Sequence, residues 1–202
     1  MGFVSVLTMA QRLVAERLGS GGLAVDATAG GGVDTLFLAR AAGLSGRVYA
    51  FDVQAAAIAR TRARLAEAAG SGEALAKVEL IHAGHERMAE FVPEEAHGQL
   101  RAIMFNLGYL PGAEAGVITV PETTLAALEA GLALLAPGGV LTAVLYPGHA
   151  GGEDEADAVA AWMAGIPATA AQTILYRFSQ KPHAPYLVAL ERKTVGVASQ
   201  SP

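Results

Sequence analysis

Residues Leu23 to Leu38 read LAVDATAGGGVDTLFL, and no other stretch limits the fold so tightly. Leu23 to Ala27 is a short apolar run carrying Asp26, Thr28 to Gly32 is small and glycine-rich, and from Val33 apolar residues recur at helical spacing. The segment predicts a strand, a tight turn and a helix, with the turn at the carboxyl end of the strand. Open α/β sheets bind ligands in that crevice, because glycines admit close backbone approach and a helix N-terminus offers unpaired N–H groups.

What the turn lacks narrows the ligand. A dinucleotide fingerprint needs a small residue where Thr35 stands, and a phosphate loop needs a Gly-Lys-Ser/Thr ending; neither is present. The turn carries no Lys or Arg, and Asp26 and Asp34 bracket it with negative charge. That setting repels a pyrophosphate and favours a ligand with a cationic centre and no phosphate. S-adenosylmethionine, with its sulfonium and α-amino group, has that chemistry. Asp52 follows the strand-like run Arg47 to Phe51 (RVYAF), where a carboxylate can accept both hydroxyls of an adenosine ribose. The competing reading makes Gly30 to Gly32 a plain tight turn and Asp52 a helix cap.

At 202 residues and 52% hydrophobic content, the chain can bury one good core but not two, so one domain is expected over residues 1–194, followed by a short tail, 195–202. Met1 to Leu18 contains Arg12, Glu16 and Arg17 in an amphipathic pattern, which does not read as a signal peptide, and a cytoplasmic location is expected. The long uncharged run Ala130 to Gly152 is broken by Pro137-Gly138-Gly139, so no membrane span is expected. The sequence has no cysteine, which excludes disulfides, thiolate metal sites and the thiolate addition that C5-methylation of a pyrimidine ordinarily requires. The net charge of −5 argues against a general electrostatic grip on nucleic acid while leaving room for a local basic face.

Read in order, the chain predicts a first helix over Phe3 to Leu18 with Val4, Leu7, Val14 and Leu18 on one face, then the segment above with its helix Val33 to Ala42 stopped by Gly43. A helix over Gln54 to Ala69 carries Arg60, Arg62 and Arg64, read as solvated surface charge. The strand Lys77 to His82 runs into Gly84 and His85, which start a short helix at the rim where an adenine would lie. The strand Leu100 to Phe105 leads into Asn106-Leu107-Gly108-Tyr109-Leu110-Pro111-Gly112. An Asn there lies across the crevice from the glycine turn, its carbonyl able to accept from a target N–H, and Tyr109 can stack on a base. Alternatively Asn106 caps a turn and Tyr109 packs.

A helix is expected from Pro121 to Ala136 and a buried strand over Val140 to Leu145, followed by a rim loop in which Tyr146 and His149 can face substrate. Glu153, Asp154, Glu155 and Asp157 read as an acidic first helical turn rather than a metal site. Thr173 to Phe178 and Tyr186 to Glu191 predict an antiparallel hairpin at the sheet edge, in a region where Arg177, Lys181, His183, Arg192 and Lys193 gather positive charge.

The runs DAT with Gly30, Gly32, Asp34 and Thr35, then Phe51-Asp52-Val53-Gln54, His85, NLGYLPG from Asn106, and Gly148-His149 together resemble one family. It is the class I S-adenosylmethionine-dependent methyltransferases labelled rRNA methylases, whose members are assigned to methylation of the 5-aminomethyl group of 2-thiouridine at the tRNA wobble position. The likeness extends from about Gly19 to Arg192. It implies an α/β fold: a Rossmann-like, seven-stranded, mostly parallel sheet with helices on both faces and an antiparallel last strand. It further implies that Asp26, Thr28, Gly30, Gly32, Asp34, Thr35, Asp52, Gln54, Gly84 and His85 form the cofactor site. Asn106, Tyr109 and His149 would face the substrate, with His149 or His85 able to take the amine proton. Two departures are visible: Gly31 replaces an Asn found between the turn glycines in some relatives, and the loop SQKPHAP is less rich in amides.

The expected activity is therefore in-line methyl transfer from S-adenosylmethionine to a tRNA amine, with a tRNA anticodon arm as partner, a possible homodimer and no metal. Methylation of a small-molecule amine or hydroxyl, or of rRNA, is the alternative, and a non-catalytic cofactor-binding scaffold is the third reading.

Overall fold

The computed structural model describes residues 2–108, 120–148, 151–181 and 183–194. Tyr109 and His149 therefore lie outside the described residues, as do residues 195–202 of the expected tail.

Seven strands form one sheet: β1 (Leu23–Asp26), β2 (Arg47–Asp52), β3 (Lys77–His82), β4 (Leu100–Leu107), β5 (Leu135–Leu145), β6 (Ala171–Tyr176) and β7 (Tyr186–Arg192), in the order β3-β2-β1-β4-β5-β7-β6. The first five are mutually parallel, and β7 runs antiparallel to both β5 and β6. This is the Rossmann-like sheet the sequence implied. The chain winds outward from β1 to β3 and then returns to β4, so the strand order reverses between β1 and β4. A crevice opens beyond the carboxyl ends of strands at such a reversal.

Period-two alternation along the strands builds two cores. Val25, Tyr49, Phe51, Ile103, Phe105 and Leu141 point to one face, against Met88 of α4 (Met88–Phe91), Leu128 of α5 (Pro121–Leu134) and Met163 of α6 (Gly152–Gly165). Ala24, Val48, Ala102, Met104 and Val144 point to the other, against α1 (Val6–Leu18) and α2 (Val33–Ala42). A further helix, α3 (Ala55–Gly70), follows β2. Strands covered on both faces have no polar side to show, which is why β1, β4 and β5 read as continuous apolar runs.

Several boundaries differ from the sequence reading. The first helix starts at Val6 rather than Phe3, because the Ser5 side chain accepts from the Thr8 N–H and caps it. Its buried face is Val6, Ala10, Val14 and Leu18, while Leu7 stays exposed. The helix α5 ends at Leu134, not Ala136, because Leu135 already pairs with Leu100; Pro137 and Gly138 (φ 74°) then loop out before the ladder resumes at Val140. The strand β6 begins two residues earlier than expected, where Ala171 pairs with Arg192. Glu153, Asp154 and Glu155 do form the acidic first turn of α6; Glu155 is in addition buried, and its carboxylate accepts from Thr124 Oγ1 at 2.6 Å, tying α6 to α5. Among the described residues no helix is long and apolar enough to cross a membrane.

Candidate active site

The reversal between β1 and β4 opens into a cavity of about 590 Å³, within the range of small-molecule sites. One wall is the turn after β1, where Gly30 (φ 55°) adopts a backbone that side chains with a Cβ rarely take. The second is Asp52, Val53 and Gln54 at the end of β2 and beyond; the third is Ala83 to Glu86 after β3; the fourth is Asn106 and Gly108 at the end of β4 with Tyr146 after β5. Its charged lining residues are Asp34, Asp52 and Glu86, with no Lys or Arg among those described.

The glycine turn is held from both sides. Gly30 N–H donates to Asp52 Oδ2 at 2.9 Å, and Gln54 N–H donates to Asp52 Oδ1 at 2.8 Å, so two backbone bonds fix the carboxylate at the cavity wall. Each carboxylate oxygen keeps further acceptor capacity, the property a vicinal diol needs in its partner. From α3, Arg64 Nε donates to the Gly31 carbonyl at 2.6 Å. Arg64 is exposed, as its alternate spacing predicted, and through this bond it also clamps the turn.

Gly32, Asp26 and Thr35, expected at the cofactor, stand behind the cavity wall instead. Gly32 (φ 77°) faces α3, where a Cβ would come within 2.9 Å of Thr61 Cα. Asp26 is fully buried beneath the turn; its carboxylate accepts from Thr35 Oγ1 at 2.5 Å and from Thr28 N–H at 3.1 Å. Burial, reinforced by the nearby Asp34, raises its pKa from an ordinary 3.8 to about 7. Thr28 passes the network on, its Oγ1 accepting from the Asn106 N–H at 2.8 Å, so the turn after β1 is coupled directly to the end of β4.

Thr28, Gly30, Asp34, Asp52, Gln54, Gly84, His85 and Asn106 do line the cavity. The buried His85 sets its Nδ1 against the Ala27 carbonyl at 3.2 Å and its ring edge-on to Phe105. That bond places the proton on Nδ1 and leaves Nε2 with a lone pair, while burial lowers the pKa and favours the neutral ring. Asp34 is partly covered by α1, whose Gln11 Nε2 donates to Asp34 Oδ1 at 3.0 Å, and burial raises its pKa. Gln11, Arg64, Glu86, Val120 and Thr123 are site or supporting residues that sequence reasoning missed. Only Gln11 left a trace, as a polar residue in the interior of an amphipathic helix one turn from the buried Val14.

A family model described as "Putative rRNA methylase" matches residues 48–191. The chain belongs to this family. Its sequence is 39% identical over 178 residues to a chloroplastic tRNA (mnm5s2U34)-methyltransferase of Arabidopsis thaliana; the match covers 86% of this chain but only 64% of that longer protein. Among solved structures, a Clostridium thermocellum protein described as a "putative rRNA-methylase" superposes with a TM-score of 0.87 at 33% identity, covering 95% of this chain and all of that one. A Streptococcus mutans protein described as "a putative methyltransferase", solved in complex with SAH, superposes with a TM-score of 0.81 at 33% identity, covering 95% of this chain and 99% of its own. Family membership accounts for the sheet order, with its antiparallel β7.

Proposed function

We propose that this family member transfers a methyl group from S-adenosylmethionine to the 5-aminomethyl group of 2-thiouridine at the wobble position of tRNA. The observation that carries the reading is the cavity wall: three carboxylates and no described cation, with the Asn106 amide facing the glycine turn across the crevice. A cationic, phosphate-free cofactor suits that wall, and so does an amine substrate. The curated relative supplies the substrate class.

The residues present fit the cofactor. Asp52, fixed by two backbone N–H bonds, would hold the ribose hydroxyls; Gly84 and His85 would border the adenine; Gly30 admits close approach; and Asp34 would lie toward the cationic end. Bound S-adenosylmethionine supplies an electrophilic methyl on a sulfonium, which passes in line to a nitrogen lone pair as the carbon–sulfur bond breaks. Asn106 orients the substrate amine through an N–H bond to its Oδ1, so that the lone pair points along that line. The amine proton must leave before attack, and the neutral His85 has a free Nε2 lone pair to receive it. His149, outside the described residues, is the other acceptor in this scheme. The tRNA anticodon arm is the partner in this reading, and we place the reaction in the cytoplasm.

The test is nucleoside analysis of tRNA bearing 5-aminomethyl-2-thiouridine, before and after incubation with protein and cofactor. One added methyl on that nucleoside is expected, lost in Asp52→Ala and Asn106→Ala. No methyl gained, with the cofactor bound, overturns the reading. The net charge of −5 favours a small neutral substrate as the second reading. Binding that does not weaken with salt would select it, since phosphate contacts give a steep salt dependence.

A further inference from the structure

Among the described residues α1 lines none of the cavity, yet it reaches one of the cavity's acids: Gln11 Nε2 donates to Asp34 Oδ1 at 3.0 Å. The helix arrives there as a fixed strut. Its buried face, Val6, Ala10, Val14 and Leu18, lies on the sheet, and Gln11 sits beside Ala10 and almost one turn before Val14. Both ends are tied down. The Val4 carbonyl, just ahead of the helix, accepts from Tyr176 Oη at 2.8 Å. At the other end Arg17 pairs with Glu191 at 2.7 Å, and its carbonyl accepts from Arg101 Nε at 3.2 Å. The Gln11 amide is thereby delivered to one place.

What the bond does follows from where Asp34 stands. It is the second residue of α2, in a first turn whose N–H groups lack intrahelical partners, and a short carboxylate there is drawn back onto its own helix end. Gln11 holds one oxygen, Oδ1, on the α1 side, and the other remains for the cavity that Asp34 lines. The donor is also neutral. A Lys or Arg in its place would hold the carboxylate as firmly but cancel its charge, and with it the attraction for a cation. An amide positions the acid and leaves its negative charge intact.

We propose that Gln11 is a positioning residue that holds the Asp34 carboxylate, charge intact, toward the cationic end of S-adenosylmethionine, and so selects the charged cofactor over uncharged adenosine thioethers. This inference rests on the placement of Asp34 in the reading above.

Equilibrium binding of two ligands to the full chain tests it. One is S-adenosylmethionine; the other is 5′-methylthioadenosine, which keeps the adenine, ribose and sulfur but has neither the sulfonium nor the α-amino group. Gln11→Leu removes the donor and keeps a good helix former. It is expected to weaken S-adenosylmethionine about three- to tenfold, the scale of one hydrogen bond to a charged group, and to leave 5′-methylthioadenosine within about twofold. Gln11→Lys keeps a donor but neutralises the acid, and should weaken S-adenosylmethionine at least as much as Gln11→Leu does. Asp34→Asn should reproduce the selective loss, and adding Gln11→Leu to it should lose nothing further. Equal losses for both ligands in Gln11→Leu, unchanged affinity for both, or wild-type affinity for S-adenosylmethionine in Gln11→Lys overturns the inference; a selective loss in Asp34→Asn then keeps Asp34 at the cationic end. Wild-type affinity for both ligands in Asp34→Asn overturns that placement itself, and the role of Gln11 with it.

Discussion

Replacing Asp26 by Asn tests whether a buried, ionising carboxylate lies beneath the glycine turn. Its pKa stands at about 7 in the fold against an ordinary 3.8, with burial the leading cause. Well below an ordinary carboxylate pKa of 3.8 the group is protonated in both folded and unfolded chains and carries no penalty. As pH rises from 4 toward 7, the unfolded chain ionises freely while the folded one resists, so stability drains away through that window and levels off above it. At 1.36 kcal/mol per pH unit the full loss is about 4 kcal/mol, of which about 3 kcal/mol falls between pH 5 and pH 8. Asn preserves the shape: its oxygen still accepts from Thr28 N–H, and its amide meets Thr35 Oγ1, whose hydroxyl can rotate to accept. Urea denaturation of wild type and Asp26→Asn at half-unit steps over that range gives the assay. The Asn variant is expected to gain on the wild type steadily, by about 3 kcal/mol across the range, which for a chain of this length is roughly 6 to 12 °C in Tm. His85 titrates in both proteins and drops out of the difference, whereas Asp34, whose charge acts on Asp26, contributes part of the gap. A gap between the two proteins that stays constant within about 0.5 kcal/mol from pH 5 to pH 8 would refute the assignment.

Two further substitutions probe the turn itself. Gly32→Ala combines a left-handed backbone (φ 77°) with a Cβ 2.9 Å from Thr61 Cα, and is expected to cost about 1–3 kcal/mol in thermal or urea unfolding; a Tm equal to wild type would mean that α3 yields freely. Arg64→Ala frees the Gly31 carbonyl that the guanidinium holds at 2.6 Å, and should weaken S-adenosylmethionine binding by calorimetry about three- to tenfold with little change in Tm, the scale of one hydrogen bond. Unaltered affinity would show that the turn keeps its shape without the clamp.

The sheet was legible because its signals are local. Apolar runs bounded by glycine marked β1, β2 and β5, and the limits of α2 at Val33 and Ala42 followed from glycines on both sides. Boundaries set by a distant partner were not legible: β5 starts at Leu135 only because Leu100 is there to receive it. The same division runs through the site. Asp52, Asn106 and His85 were readable because each lies at or just past the carboxyl end of a strand, which faces the crevice. Asp26, Gly32 and Thr35 belong to the same motif, yet burial and the approach of α3 turn them away from the cavity, and neither can be read from one segment. Arg64 is the surface charge it was read as, but its bond to the Gly31 carbonyl was not legible because that partner lies on another element. Tyr146 was visible as a rim residue, but its place beside Asn106 at the cavity wall depends on the β4–β5 register.

The placement of β7 between β5 and β6 fixes the order in which a nascent chain can finish folding. Until Tyr186–Arg192 leaves the ribosome, β5 presents a bare apolar edge, since every inter-strand bond on that side waits for the antiparallel insertion. The helix α1, made first, waits as well: Arg17 meets its Glu191 partner, 2.7 Å away, only when β7 docks. A synthesis stalled short of that strand leaves a nearly complete cofactor cavity on a body with one sticky flank, a template for pairing with a neighbouring chain.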